Sequence, residues 1–194
     1  MKKSIGPKKF KTAVFISGTG SNLKKLIEFS LLKKSPIEIK LIISNNKKAK
    51  GLRFSNKYKI KSKVFKFFES KKTENKIIDG LKANKIELIC LAGFMKILSK
   101  SFIKNFKGKI LNIHPSLLPK YKGLNTHQRA ITNKEKFSGC TVHIVNSKLD
   151  SGKIILQKKV KLNKNETAES LAKKILKQEH VLYPKAIKKF LSSL

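Results

Sequence analysis

A chain of 194 residues with no internal repeat and no Gly/Ser- or Pro-rich linker reads as one domain, long enough to bury one sizeable core. Its formal net charge of +35 rests on 46 basic residues against 11 acidic ones, yet only Arg53 and Arg129 are arginines, so the bidentate forks that read bases are nearly missing. The lysines are spread along the chain rather than gathered in a stripe, which an AT-rich coding sequence explains better than specific nucleic-acid binding, and no run approaches the roughly 20 apolar residues of a membrane span.

Cys90 and Cys140 lie far apart and form no CxxC or CxxH pattern, so they read as buried thiols in a reducing compartment. The basic head, residues 1–11, has no apolar stretch behind it of the kind an export signal carries. A cytoplasmic, soluble protein is expected, with a formed domain over residues 12–194.

Apolar runs of strand length recur at 12–17, 37–44, 62–67, 87–93, 108–114, 140–145 and 153–160. Between them, amphipathic segments at 21–34, 48–58, 73–85 and 99–106 read as helices. A final helix of about five turns follows Asn165 or Thr167, either of which can cap it. Strands alternating with helices predict an open, doubly wound, mostly parallel α/β sheet of Rossmann-like form. The last two strands have no helix between them and predict an antiparallel edge. Ligands in such sheets bind beyond the carboxyl ends of the strands.

Three motifs leave strands at that edge. In ISGTGSN (16–22), an apolar strand runs through Gly18 and Gly20 into Ser21 and Asn22 at a helix start. Free N–H groups and the positive helix end there favour a phosphate, although Ser21 serving only as a cap is the plain alternative. The third glycine of a dinucleotide fingerprint and the GKS/T ending of a P-loop are both missing. LAGFMKIL (91–98) carries Phe94, Met95, Ile97 and Leu98, which either line a slot for a flat heterocycle or cover the core. In LNIHPSLLPKYKG (111–123), Asn112 and His114 are two positions apart and leave one face of an extended strand. Pro115 keeps His114 out of the helical region. Two polar groups on a strand that should be apolar ask for a function. Asp150, in a turn after the sixth strand, is a candidate carboxylate to hold that histidine in its charged form. His127, His143 and His180 show no HxH or HExxH spacing, so no metal site is expected.

Taken in order, SGTGSNL, LAGFMKILS, LNIHPSLLPKYKGLNTH, VHIV, LDSG, ILQ and QEHVLYP resemble the glycinamide ribonucleotide formyltransferase family from about residue 12 to residue 184. The resemblance implies formyl transfer from 10-formyltetrahydrofolate, as cosubstrate, to the glycine amine of glycinamide ribonucleotide in purine synthesis, with no metal. It implies Asn112, His114 and Asp150 as the catalytic trio, Gly20, Ser21 and Asn22 around the nucleotide phosphate, and Glu179 on the glycinamide substrate. Met95, Lys96, Ile97 and Leu98, together with Asn112, Asn146, Ser147, Lys148, Leu149 and Asp150, would surround the folate. A basic residue that meets the folate upstream of the fourth strand corresponds to Lys71 or Lys72. Lys122 and Asn125 depart from the residues common in relatives.

In the chemistry so implied, the amine attacks the formyl carbon directly, His114 and Asn112 stabilise the oxyanion, and Asp150 raises the His114 pKa. Deformylase and methionyl-tRNA formyltransferase relatives carry a further domain for which this chain is expected to have no room. A monomer or homodimer without specific nucleic-acid or membrane partners is expected.

Overall fold

The computed structural model describes residues 8–66 and 70–194. The first strand, β1 (Phe10–Ile16), is followed by α1 (Ser21–Ser30), β2 (Ile37–Ser44), a 3-10 turn at Lys50–Leu52, α2 (Arg53–Tyr58), β3 (Lys61–Val64) and α3 (Lys71–Ala83). Then come β4 (Leu88–Leu91), α4 (Lys100–Asn105), β5 (Lys109–His114), α5 (Thr126–Thr132), β6 (Phe137–Ile144), β7 (Ile154–Lys161) and α6 (Ala168–Leu191).

The seven strands form one sheet in the order β3-β2-β1-β4-β5-β6-β7. Pairing is parallel from β3 through β5 and antiparallel from β5 to β6 and from β6 to β7. The chain steps outward from β1 on one side and resumes at β4 on the other, so a switch point opens between those two strands at their carboxyl ends. Alternation along the strands divides the apolar residues between two cores. Val14, Ile16, Leu111 and Ile113 face α1, α2, α5 and α6, while Ala13, Phe15, Ile89 and Ile110 face α3 and α4. In β2 the register with β1 skips Lys40, so Ile37 and Ile39 before it and Ile42 after it all turn to the first core.

Several expected boundaries shift. β1 starts at Phe10, paired to Ile37, two positions before the expected strand. β3 stops at Val64 as an exposed edge strand whose lysines discourage further pairing. Phe67, at the end of the expected third strand, and residues 1–7 of the basic head lie outside the described residues. The expected helix at 48–58 breaks into the 3-10 turn and α2, because Gly51 packs against Gly20. α5 has no counterpart in the expected elements. β6 begins at Phe137 rather than at Cys140, drawn into the sheet by pairing of Phe137–Gly139 with β7. α6 runs 24 residues, capped by Thr167 in a reciprocal box with Ser170, and continues through Pro184. Tyr183 on that helix is fully buried, and its hydroxyl reaches the carbonyls of Leu91 and Leu111, fastening α6 under β4 and β5. Among the described residues no helix is long and apolar enough to cross a membrane.

Candidate active site

Asn112 and His114 lie on the sheet face shared with Ile110, beyond the part covered by α3 and α4. Loops cover them in place of a helix. β6 runs back along β5 and sets His143 opposite Asn112 and Thr141 opposite His114. The 145–153 connection then turns over the same face, where Asp150 occupies a left-handed backbone conformation (φ 44°). Two residues on, Gly152 lies so close to the Ile144 carbonyl oxygen that any Cβ would collide with it. The glycine that ends the LDSG pattern is therefore required by the close approach of this turn to β6.

The carboxylate of Asp150 is the hub. One oxygen, Oδ2, accepts from the Gly123 N–H at 2.9 Å and faces His114 Nδ1 at 3.4 Å. The other, Oδ1, lies 3.4 Å from Asn112 Nδ2 and 3.6 Å from His143 Nε2. His114 Nε2 meets the Tyr121 carbonyl at 2.8 Å. The 115–121 segment is pinned from behind: Thr141 Oγ1 donates to the Ser116 carbonyl and accepts from the Leu118 N–H, while Gln157 donates to the Leu118 carbonyl. Asn112, His114 and Asp150 are thus brought together within hydrogen-bond reach.

Both ring nitrogens of His114 face acceptors, an arrangement that suits an imidazolium. Burial opposes it and holds the His114 pKa below the ordinary histidine value despite the Tyr121 carbonyl and Asp150. The expectation that Asp150 would raise this pKa is correct for its own contribution, but desolvation outweighs it. For Asp150 burial works upward, yet His143, the Gly123 N–H and His114 outweigh it and keep the carboxyl below its usual range. The resting site therefore pairs a carboxylate with an uncharged imidazole near neutral pH.

A second pair lies at the start of α1. Gly20 is the N-cap in a left-handed conformation (φ 74°), and a side chain there would strike the Gly51 Cα at 2.6 Å. No side chain caps the helix, so Ser21 is not the cap, and the first-turn N–H groups have no side-chain acceptor. Asn22, buried, donates to Glu179 Oε2 at 2.6 Å, leaving Asn22 Oδ1 buried without a partner. Burial pushes the Glu179 carboxyl up to about 7, with the Asn22 bond working against it.

Residues 92–98 leave β4 at Leu91, which is in register with Asn112. Phe94 packs edge-on against Phe15 and Leu98 is buried, whereas Met95 and Ile97 are 64% and 70% exposed. The motif thus divides between packing and open surface. Asn146, Ser147, Lys148 and Leu149 are exposed on the turn before Asp150, which Asn146 braces by accepting from the Lys148 N–H. Lys96 is half-buried, and Lys71 and Lys72 are exposed in the first turn of α3. Cys90 and Cys140 are free and buried, their thiols pushed up to about 12 chiefly by burial.

Sequence reasoning missed His143 and Ser17. His143 is 2% exposed, and its Nδ1 sits 3.0 Å from the Ile144 carbonyl, its Nε2 3.2 Å from Asn112 Nδ2. The signal was the antiparallel register, which spacing alone does not give. Ser17 accepts from the Met95 N–H and donates to Asn45, tying the 92–98 loop to the end of β1. Among the described residues no group of three or more His, Cys, Asp or Glu is arranged to hold a metal ion.

An Asn/His/Asp cluster at the carboxyl edge of such a sheet is accompanied by a match of residues 10–187 to the Formyl transferase family. The chain belongs to that family. It is 43% identical over 183 residues to the phosphoribosylglycinamide formyltransferase of Haemophilus influenzae, covering 93% of this chain and 86% of that protein. Its structure resembles the crystal structure of phosphoribosylglycinamide formyltransferase from Brucella melitensis with a TM-score of 0.88 and 45% identity, covering 94% of this chain and 96% of that one. Within the family the chain stands with the phosphoribosylglycinamide formyltransferases. It is also 40% identical over 187 residues to the trifunctional purine biosynthetic protein adenosine-3 of Bos taurus, but there it covers 95% of itself and only 18% of the relative's length.

Proposed function

We propose that the chain, as a single formyltransferase domain, transfers the formyl group of 10-formyltetrahydrofolate to the glycine amine of glycinamide ribonucleotide. The observation that carries this reading is the convergence of Asn112, His114 and Asp150 on one patch of sheet that loops rather than a helix cover, at the edge where α1 also opens its first turn.

The amine nitrogen attacks the formyl carbon, the carbonyl electrons move onto oxygen, and collapse of the tetrahedral species expels N10, which takes up a proton to give tetrahydrofolate. Asn112 holds Asp150 across a long 3.4 Å contact, which an oxyanion placed beside it can replace. His114 rests uncharged because of burial, so it can take the amine's proton as negative charge develops on the oxygen. Asp150, ionised and 3.4 Å from Nδ1, stabilises the imidazolium that results. That proton then passes to the leaving N10. No side chain needs to be acylated, since the attacking nucleophile is the substrate's own amine.

The first-turn N–H groups at Ser21 and Asn22, which no side chain caps, suit the nucleotide phosphate. Glu179, with Asn22 Oδ1 still unpartnered, offers polar atoms to the ribose and glycinamide portion. Met95 and Ile97, exposed beside Asn112's strand, suit one face of a pterin, with the 146–150 turn on the other. Absorbance at the tetrahydrofolate band tests the reading: release from 10-formyltetrahydrofolate should require glycinamide ribonucleotide. Release without the nucleotide would indicate a deformylase, and no release would refute the transfer.

A further inference from the structure

We infer that a cavity behind the 115–123 loop binds a phosphorylated, ring-bearing small molecule, at a place separate from the proposed transfer site. The cavity measures about 520 Å³, within the range that accommodates a nucleotide-sized ligand. It opens between that loop, the start of β6 and the end of β7. Leu117, Pro119 and Phe137 form its apolar surface, and Lys134, Lys136 and Lys159 supply its charge.

Charge and shape point to the same chemistry. The one acid on the lining, Glu135, is already neutralised: it accepts from Lys120 Nζ at 2.7 Å and from the Tyr121 hydroxyl at 2.8 Å. Lys120 foremost, then Tyr121, hold its carboxyl below the usual range. Lys134, Lys136 and Lys159 have no carboxylate partner among the described residues. Three lysines without a carboxylate partner on the lining of one concave space form a focus for an anion, even in a chain whose lysines are otherwise dispersed. Phe137 is 38% exposed, and Lys159 Nζ is held 3.7 Å above its ring centroid. The part of the ring left open by Lys159 joins Leu117 and Pro119 in an apolar surface for a ring-bearing group, next to the lysines that would hold a phosphate.

The 115–123 loop separates this cavity from the transfer site. Tyr121 is the shared wall: its hydroxyl joins Glu135 on the cavity side and its carbonyl meets His114 on the other. The two sites can therefore be probed independently.

Adenosine monophosphate is the probe, titrated by calorimetry at a fixed ionic strength of about 0.15 M so that diffuse charge is screened. Saturable one-to-one binding is expected. The double variant Lys136→Ala/Lys159→Ala should weaken it at least about tenfold, the loss of two charge-assisted contacts. Lys33→Ala/Lys34→Ala, exposed lysines elsewhere, should leave it unchanged. Phe137→Ala should weaken adenosine monophosphate but not inorganic pyrophosphate. Absence of saturable binding, an equal loss in both lysine pairs, or displacement by glycinamide ribonucleotide would each overturn the assignment. Unchanged affinity in Phe137→Ala would overturn the ring-bearing part. Binding is the readout throughout, so failure here is distinct from failure of the proposed transfer.

Discussion

His143 is predicted to set the orientation of Asn112, and its replacement should lower turnover more than substrate affinity. In the neutral tautomer that gives its Nδ1 proton to the Ile144 carbonyl, His143 Nε2 accepts from the Asn112 amide at 3.2 Å. Without the imidazole, Asn112 Nδ2 keeps only its longer contact with Asp150 at 3.4 Å. A buried neutral hydrogen bond contributes about 1 kcal/mol, up to about 2 where a polar group is left unsatisfied. If that energy holds the amide toward the oxyanion, His143→Ala should lower kcat about 5- to 30-fold. KM should stay within about twofold, because no substrate contact is removed. His143→Gln, whose amide oxygen can accept from Asn112, should recover part of the loss. The assay is tetrahydrofolate release at saturating nucleotide, with a thermal melt to confirm that each variant is folded. A folded His143→Ala enzyme with kcat within about twofold of the parent would refute the reasoning.

Other outcomes follow from the same geometry. Asp150→Asn keeps the shape but removes the charge beside His114, so turnover should fall by about 10² or more and the His114 pKa, followed by NMR titration, should drop further; an unmoved His114 would reject the pairing. The raised Glu179 pKa means the folded state keeps a proton between the ordinary carboxyl value and about 7, where the unfolded chain has lost it. Its contribution therefore weakens stability as pH rises through that window, by an amount of order 3 kcal/mol above it. Urea unfolding at pH 5 and pH 8 should show a smaller loss of stability in Glu179→Gln than in the parent, and equal losses would exclude the shift. Gly152→Ala forces a Cβ into the Ile144 carbonyl, so denaturant titration should find it destabilised by about 2 kcal/mol or more, and a variant as stable as the parent would rule out that close approach.

Strand positions were legible because each buried strand is a short apolar run bounded by turn residues; β2 occupies the expected 37–44. Less legible were features set by pairing. The start of β6, Phe137–Ser138–Gly139, holds one apolar residue beside a serine and a glycine and so reads as no strand by itself; it pairs with β7 along its length. α5 is short, and its N-cap, Asn125, is left-handed and makes no side-chain cap bond, so its start carried little signal. At the site, Asn112 and His114 followed from an i, i+2 spacing on an extended segment. Asp150 could be named but not placed, since its position depends on how a loop folds over the sheet. His143 was visible as a residue and invisible as a neighbour, because a register between β5 and β6 cannot be read from either strand alone.

The reversal of strand direction at β6 explains why the cluster forms here. In a purely parallel sheet, a helix would follow β5 and cover the face on which Asn112 and His114 stand. Here α5 packs on the opposite face, through Ala130, and β6 descends antiparallel beside β5. The descent delivers His143 next to Asn112 and starts the 145–153 connection alongside Ile110, where the Val145 N–H donates to the Ile110 carbonyl. That connection fills the place of a helix and brings Asp150 over the face, closed by the Gly123 N–H from the other loop. The carboxylate is thus positioned by backbone groups from two loops rather than by a single element, while Asn112, His114 and His143 stand on paired strands. The strand-borne groups are set by the β5–β6 register, and the loop-borne Asp150 is the one whose placement depends on Gly152 and on the left-handed turn at its own Cα. Changes in the 145–153 loop should therefore alter turnover through Asp150 while leaving the Asn112–His143 pair in place.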